Sequence, residues 1–153
     1  RMIRSLLVIG LLVTGATEAS ARSIVGKWDC EAREGRGMAM RMLLEYRQSG
    51  QFYHLANLAI GDRRGRMDGS VAISGKWHRN HSALTETITS ARMRSLEVNG
   101  QDISKSPIGR HMAKSLPKQM MGSNPTGVSS VRYLSNSKIQ LTSGRLKATC
   151  TKR

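Results

Sequence analysis

Ile24-Val25-Gly26-Lys27-Trp28-Asp29-Cys30 is the stretch on which the fold turns. Within seven residues it offers a β-branched pair, a glycine, an indole and one of the chain's two cysteines. β-Branched and aromatic residues fit a half-buried pleated surface, so the stretch reads as the opening strand of a sheet. The second cysteine, Cys150, lies almost at the far end of the chain. Two cysteines in an exported chain most often make one disulfide. Cys30 to Cys150 would close a loop worth about 4–5 kcal/mol on the chain-entropy account. A zinc or catalytic thiol finds no support, because no histidine stands at ligand spacing from either cysteine.

Upstream of this strand, Arg1 to Ala21 has the three parts of an export leader. Arg1 and Arg4 are basic, Ser5 to Thr14 is nearly all apolar, and Ala19-Ser20-Ala21 is a small-residue cleavage site. The apolar run falls well short of the roughly 20 residues a spanning helix needs. We therefore expect cleavage after Ala21, a periplasmic or secreted product and no transmembrane segment afterwards; Met2 is a candidate start. Residues 22–153 then form one domain of 132 residues with a net charge of +14. Such a charge predicts attraction to anionic lipid, lipopolysaccharide or another polyanion, or to an acidic protein, and repulsion from basic targets such as lysozymes.

Downstream, the pattern is strands and tight turns. Met38, Met40, Met42, Leu44 and Tyr46 alternate with Ala39, Arg41, Leu43, Glu45 and Arg47, the period of a half-buried strand. Ser49-Gly50 reads as a hairpin, and Gln51 to Ile60 returns with Phe52, His54, Ala56, Leu58 and Ile60 on one face. Gly61 to Arg66 is a basic, glycine-punctuated loop. Gly69 to His78 and Ala83 to Val98 make a second strand pair, followed by the Asn99-Gly100 turn. Gly-Lys-Trp occurs at 26–28 and again at 75–77, as if two strands each need close backbone approach and an indole plug. Ser106-Pro107 opens a helix with Ile108, Met112 and Leu116 on one face, which Pro117 should end or kink. A last hairpin, Val128 to Thr142 with its turn at Asn136, leads through Ser143-Gly144 into Arg145 to Thr151.

Seven or eight short strands, one helix before the last hairpin and a bridge between terminal strands predict an all-β, closed antiparallel barrel. Closure removes the strand edges that an exported sheet would otherwise present. Gly26-x-Trp28 opening the first strand, with the alternating strands and the C-terminal cysteine, resembles the lipocalin-like (calycin) group. The resemblance implies that Trp28 stoppers one end of the barrel and that a basic residue of the last strand, Arg145 or Lys147, packs across it. It departs from that group in its short length and in a helix that precedes the final hairpin. A barrel packed solid with side chains stands beside the ligand cup as an expectation.

The chemistry points to binding. There is no HExxH, Gly-x-Ser-x-Gly or P-loop, so neither an enzyme nor a cofactor is expected. Glu86, between two threonines in an otherwise uncharged run, is the one acid with an inward-pointing reading, but the favoured reading is an outward strand acid beside a basic neighbour. Arg63, Arg64 and Arg66, together with the barrel mouth, are the expected contacts for an anionic envelope component or an amphiphile with an anionic head. Two alternatives stay open. Met38, Met40 and Met42 offer thioethers suited to Cu(I), with His54 as nitrogen ligand and Trp28 or Trp77 stacked nearby; the competing reading is core filler. The other is an inhibitor or immunity factor for an acidic protein. Specific nucleic-acid binding is not expected, because aromatics make up only 4% of the chain and no basic cluster is interleaved with them.

Overall fold

The computed structural model describes residues 22–34 and 38–153; the leader expected over 1–21 lies outside them. Eight strands make the barrel wall: β1 (Gly26–Glu34), β2 (Met38–Tyr46), β3 (Gln51–Asp62), β4 (Gly65–Asn80), β5 (Ala83–Val98), β7 (Thr126–Ser135), β8 (Lys138–Ser143) and β9 (Leu146–Lys152). A two-residue β6 (Gln101–Asp102) pairs with β5, and α1 (Pro107–Met121) stands between β6 and β7. Every pairing is antiparallel and joins sequence neighbours, apart from β5 with β7 and the closing pair β1 with β9. The all-β barrel expected from the strand spacing is therefore present and closed.

The closing seam explains the two cysteines. Trp28 to Ala32 of β1 face Lys152 to Ala148 of β9, and the middle pair is Cys30 with Cys150. Their Cα atoms lie 4.0 Å apart and the sulfurs are bonded. Both cysteines are buried in one core cluster with Trp28, Ala32, Leu44, Tyr46, Phe52, Leu84, Val131, Ile139, Leu141 and Ala148. Each Gly-Lys-Trp tripeptide marks a close approach. A Cβ on Gly75 would sit 1.9 Å from the Thr87 carbonyl oxygen and 2.9 Å from the Phe52 ring. Gly26 takes φ +131°, and its missing side chain leaves room for the Lys152 chain.

Three local expectations need correction. The helix does not stop at Pro117 but continues to Met121, with Pro117 buried inside it. Burying the ring offsets the lost N–H bond that makes proline costly in helix interiors. Ser106 caps the start, its Oγ accepting from the Gly109 N–H at 3.0 Å. The apolar face is narrower than its spacing suggests, because Ile108 is 70% exposed. The cation across Trp28 is Lys152, with Nζ 5.6 Å from the ring centroid, and neither Arg145 nor Lys147, which opposes Thr142. Arg145 is exposed in the turn between β8 and β9, at the other end of the last strand. Register decides the matter, since Lys152 is the residue directly opposite Trp28.

Candidate functional site

Strand alternation puts two chemically different sites on the two sides of one wall. Leu44, Tyr46, Phe52 and Ala56 are buried inside, so Leu43, Glu45, Tyr53 and Leu55 face outward. Leu43 opposes Leu55, Leu55 opposes Ala72, and Ala72 opposes Arg92. One row across β2, β3, β4 and β5 thus runs from aliphatic to cationic. These residues, with Lys27, Tyr53, Ser74, Ser90, Arg94 and Arg153, line an outer groove of about 480 Å³. That volume is within the range of small-molecule sites. A second cavity of about 470 Å³ adjoins it, sharing Leu43 and Arg153.

Bulges aim the cations. Pairing of β4 with β5 slips between Ser70 and Val71 and again between Ser74 and Gly75, which leaves Arg94 and Thr89 of β5 without partners in β4. A bulge bends its strand and redirects side chains. Arg92 and Arg94 are both exposed at the groove, and among the described residues neither is ion-paired, nor is Lys27. Arg153 is held against Asp29 at 2.8 Å. Arg47 pairs with Glu45 and lies over the Tyr53 ring, 4.2 Å from its centroid.

Inside the wall, Glu86 takes the inward of its two sequence readings, against the favoured one. It does not face solvent beside a base. Its Oε1 accepts from the Tyr46 hydroxyl at 2.5 Å and from His54 Nε2 at 2.9 Å. An ionised carboxylate only accepts, so His54 must present Nε2–H to it. His54 also stacks on Phe52 with centroids 4.4 Å apart, and Tyr46 meets His54 and Trp77 edge-on. Burial pushes the Glu86 pKa up, but the His54 bond and charge and the Tyr46 bond together hold it below the ordinary carboxylate value. Tyr46 moves well above the usual phenol value, through burial first and then the Glu86 charge and hydrogen bond. His54 Nδ1 is buried and has no hydrogen-bond partner among the described residues.

The remaining sequence candidates are only partly brought together. Met40 and Met42 pack against the core on the same inner face as His54, with Met42 opposite Ala56 and Leu44 opposite His54. The Met38 backbone opposes Ile60, and its side chain is not among those described. Trp28 and Trp77 each spend the indole N–H on backbone carbonyls, Ile24 for the first, Arg47 and Gln51 for the second. Arg63 and Arg64 are exposed in the tight turn between β3 and β4. Arg66 is not free for a ligand, since Nε and Nη2 grip both oxygens of Asp68 at 2.8–3.0 Å. Spacing along the chain missed the outer groove, because Arg92 and Leu43 meet only through the register of four strands.

No protein-family profile and no curated protein matches the chain. Among solved structures, it is similar to an uncharacterized protein from Bacteroides eggerthii DSM 20697 at 16% identity. The alignment covers 86% of this chain and 100% of that one, with a TM-score of 0.49.

Proposed function

We propose that the protein is an exported, lipocalin-like binding protein, not an enzyme, whose ligand is an amphiphile with an anionic head. The buried disulfide fits an oxidising compartment. The observation that carries the reading is the outer groove, where the aliphatic floor of Leu43, Leu55 and Ala72 meets the unpaired guanidinium groups of Arg92 and Arg94. An alkyl chain laid on that floor leaves water, while the head takes charge-assisted hydrogen bonds at the rim. Calorimetry with dodecyl phosphate, dodecylphosphocholine and inorganic phosphate tests it. Dodecyl phosphate should bind saturably and tightest of the three. The double variant Arg92→Ala/Arg94→Ala should weaken it about tenfold or more, the loss of two charge-assisted bonds. Equal affinity for the two dodecyl compounds, or no effect of the double variant, would sink the proposal.

A second reading rests on His54 Nδ1. Nε2 is committed to Glu86 and, among the described residues, none donates to or accepts from the buried Nδ1, so a metal that displaces any proton there would find a lone pair. Met40 and Met42 share that inner face, and thioether with imidazole is a Cu(I) donor set. Competition against a chromogenic Cu(I) chelator should then show one site, abolished by Met40→Leu/Met42→Leu with the fold intact. Unchanged competition by that variant excludes these sulfurs as ligands.

A further inference from the structure

All ten acidic residues of the chain lie at or before Asp102, whereas residues 103–153 carry ten Lys and Arg and no Asp or Glu. The fold turns this imbalance along the chain into an imbalance in space. β7, β8 and β9 are adjacent in the sheet, β7 pairs with the Ala83–Thr87 end of β5, and α1 packs against β5. The exposed ion pairs are elsewhere: Arg41 with Glu31, Arg47 with Glu45, and Arg66 with Asp68 are on β1 to β4 or just past the end of β2, and Arg153 reaches back to Asp29 of β1. Among the described residues, none of the exposed cations of α1, β7 or β8 is ion-paired.

On α1, Arg110, Lys114 and Lys118 recur every four residues and all are exposed, a single row along the helix. On the strands, Val131 is buried, so Val128, Arg132 and Leu134 face out from β7; Val128 is 60% and Leu134 47% exposed. Cations interleaved with exposed aliphatic side chains suit a surface that is anionic at its face and apolar just beneath. A nucleic acid would want exposed aromatic platforms. The tyrosine on this wall, Tyr133, instead turns in under Arg79, whose Nη1 it meets at 2.9 Å.

We infer that the acid-free part of the fold, strands β7, β8 and β9 together with the helix α1 packed on β5, docks the protein on an anionic lipid bilayer. This does not depend on the ligand groove, which lies across β2 to β5 and uses other cations. Co-sedimentation of the whole protein with vesicles tests it, comparing phosphatidylcholine alone with the same lipid containing 30% phosphatidylglycerol. Binding should require the anionic lipid and should collapse between low and physiological salt. Each surface cation adds about fivefold to the partition coefficient, so Lys114→Gln/Lys118→Gln should lower it by about 25-fold. Val128→Ser should lower it further at unchanged charge, which pure electrostatic attraction would not do. Arg92→Ala/Arg94→Ala should leave vesicle binding within a fewfold of the parent while weakening dodecyl phosphate. Equal binding to both vesicle types, indifference to the lysine pair, or tight binding to heparin or duplex DNA without vesicle binding would each overturn the inference.

Discussion

Breaking the Cys30–Cys150 bridge lowers the thermal midpoint by more than about 10 °C. The chain-entropy account assigns about 5 kcal/mol to closing a loop of this length, and a domain of this size shifts by about 3–5 °C per kcal/mol. Measured disulfide effects often fall short of that ceiling, hence the lower figure. The seam adds a structural reason for a large effect. β1 meets β9 over five registered pairs, against nine with β2, and the bridge sits at the centre of the five. Without it, fraying from either end can part β1 from β9 and open both edges at once.

Two further results follow from the burial of the sulfurs, which are shielded within the core. Reductant should act slowly on the native protein and quickly in moderate urea, because attack waits for the seam to open. In hydrogen exchange of the reduced protein, amides of residues 28–32 and 148–152 should lose protection before those of the β2–β3 pair. Cys30→Ala/Cys150→Ala should track the reduced parent to within about the cost of two lost thiols, one or two kcal/mol. A midpoint unmoved by reduction, checked by thiol titration in denaturant, would show that strand pairing alone closes the barrel.

Where the chain alternates without interruption, its sequence is legible. Met40 to Tyr46 and Phe52 to Leu58 keep period two, and the structure pairs them in the register the Ser49-Gly50 turn sets. β5 is different. Leu84 and Ile88 face in, and the extra residues at Thr89 and Arg94 then shift the phase so that Leu96 is buried again. A bulge has no sequence signature of its own, so the strand looked like an unpatterned Thr-Ile-Leu run. Glu86 was within reach, because it shares parity with Leu84 and Ile88 on either side. General burial frequencies for glutamate outweighed that local signal. The family resemblance points only to a basic residue of the last strand, Arg145 or Lys147, whereas Lys152 follows from counting outward from the disulfide: Cys30 opposes Cys150, so two residues on, Trp28 opposes Lys152. The outer groove stayed hidden for a stronger reason, since its floor and rim come from strands that only the closed register aligns.

Glu86→Leu should be the most destabilising exchange of a single partly exposed side chain in the barrel. The carboxylate accepts from Tyr46 on β2 and His54 on β3, so one oxygen of β5 ties three strands across the interior. Removing it strands a hydroxyl and an imidazole N–H, each costing about 1–3 kcal/mol when buried without a partner. We expect a loss of about 3–5 kcal/mol in urea unfolding. Glu86→Gln should lose less, because its amide oxygen can still accept one of the two bonds. The pair Tyr46→Phe with Glu86→Leu should cost less than the sum of the singles, since the first removes one of the groups that the second strands.

The pH dependence has a definite sign. The Glu86 pKa is lower folded than unfolded, so the unfolded chain takes up this proton first as pH falls. The contribution is whole above the ordinary carboxylate value near 4.5 and is lost as pH drops through the lowered folded value. The parent protein should therefore lose stability below about pH 4.5 more steeply than Glu86→Gln, by the slope of about one proton. Their curves should converge in acid and separate toward neutrality. Parallel curves from pH 3 to 7 would mean that the carboxylate is no better held in the folded barrel than in the open chain. The His54–Glu86–Tyr46 contact would then be geometry without energetic consequence.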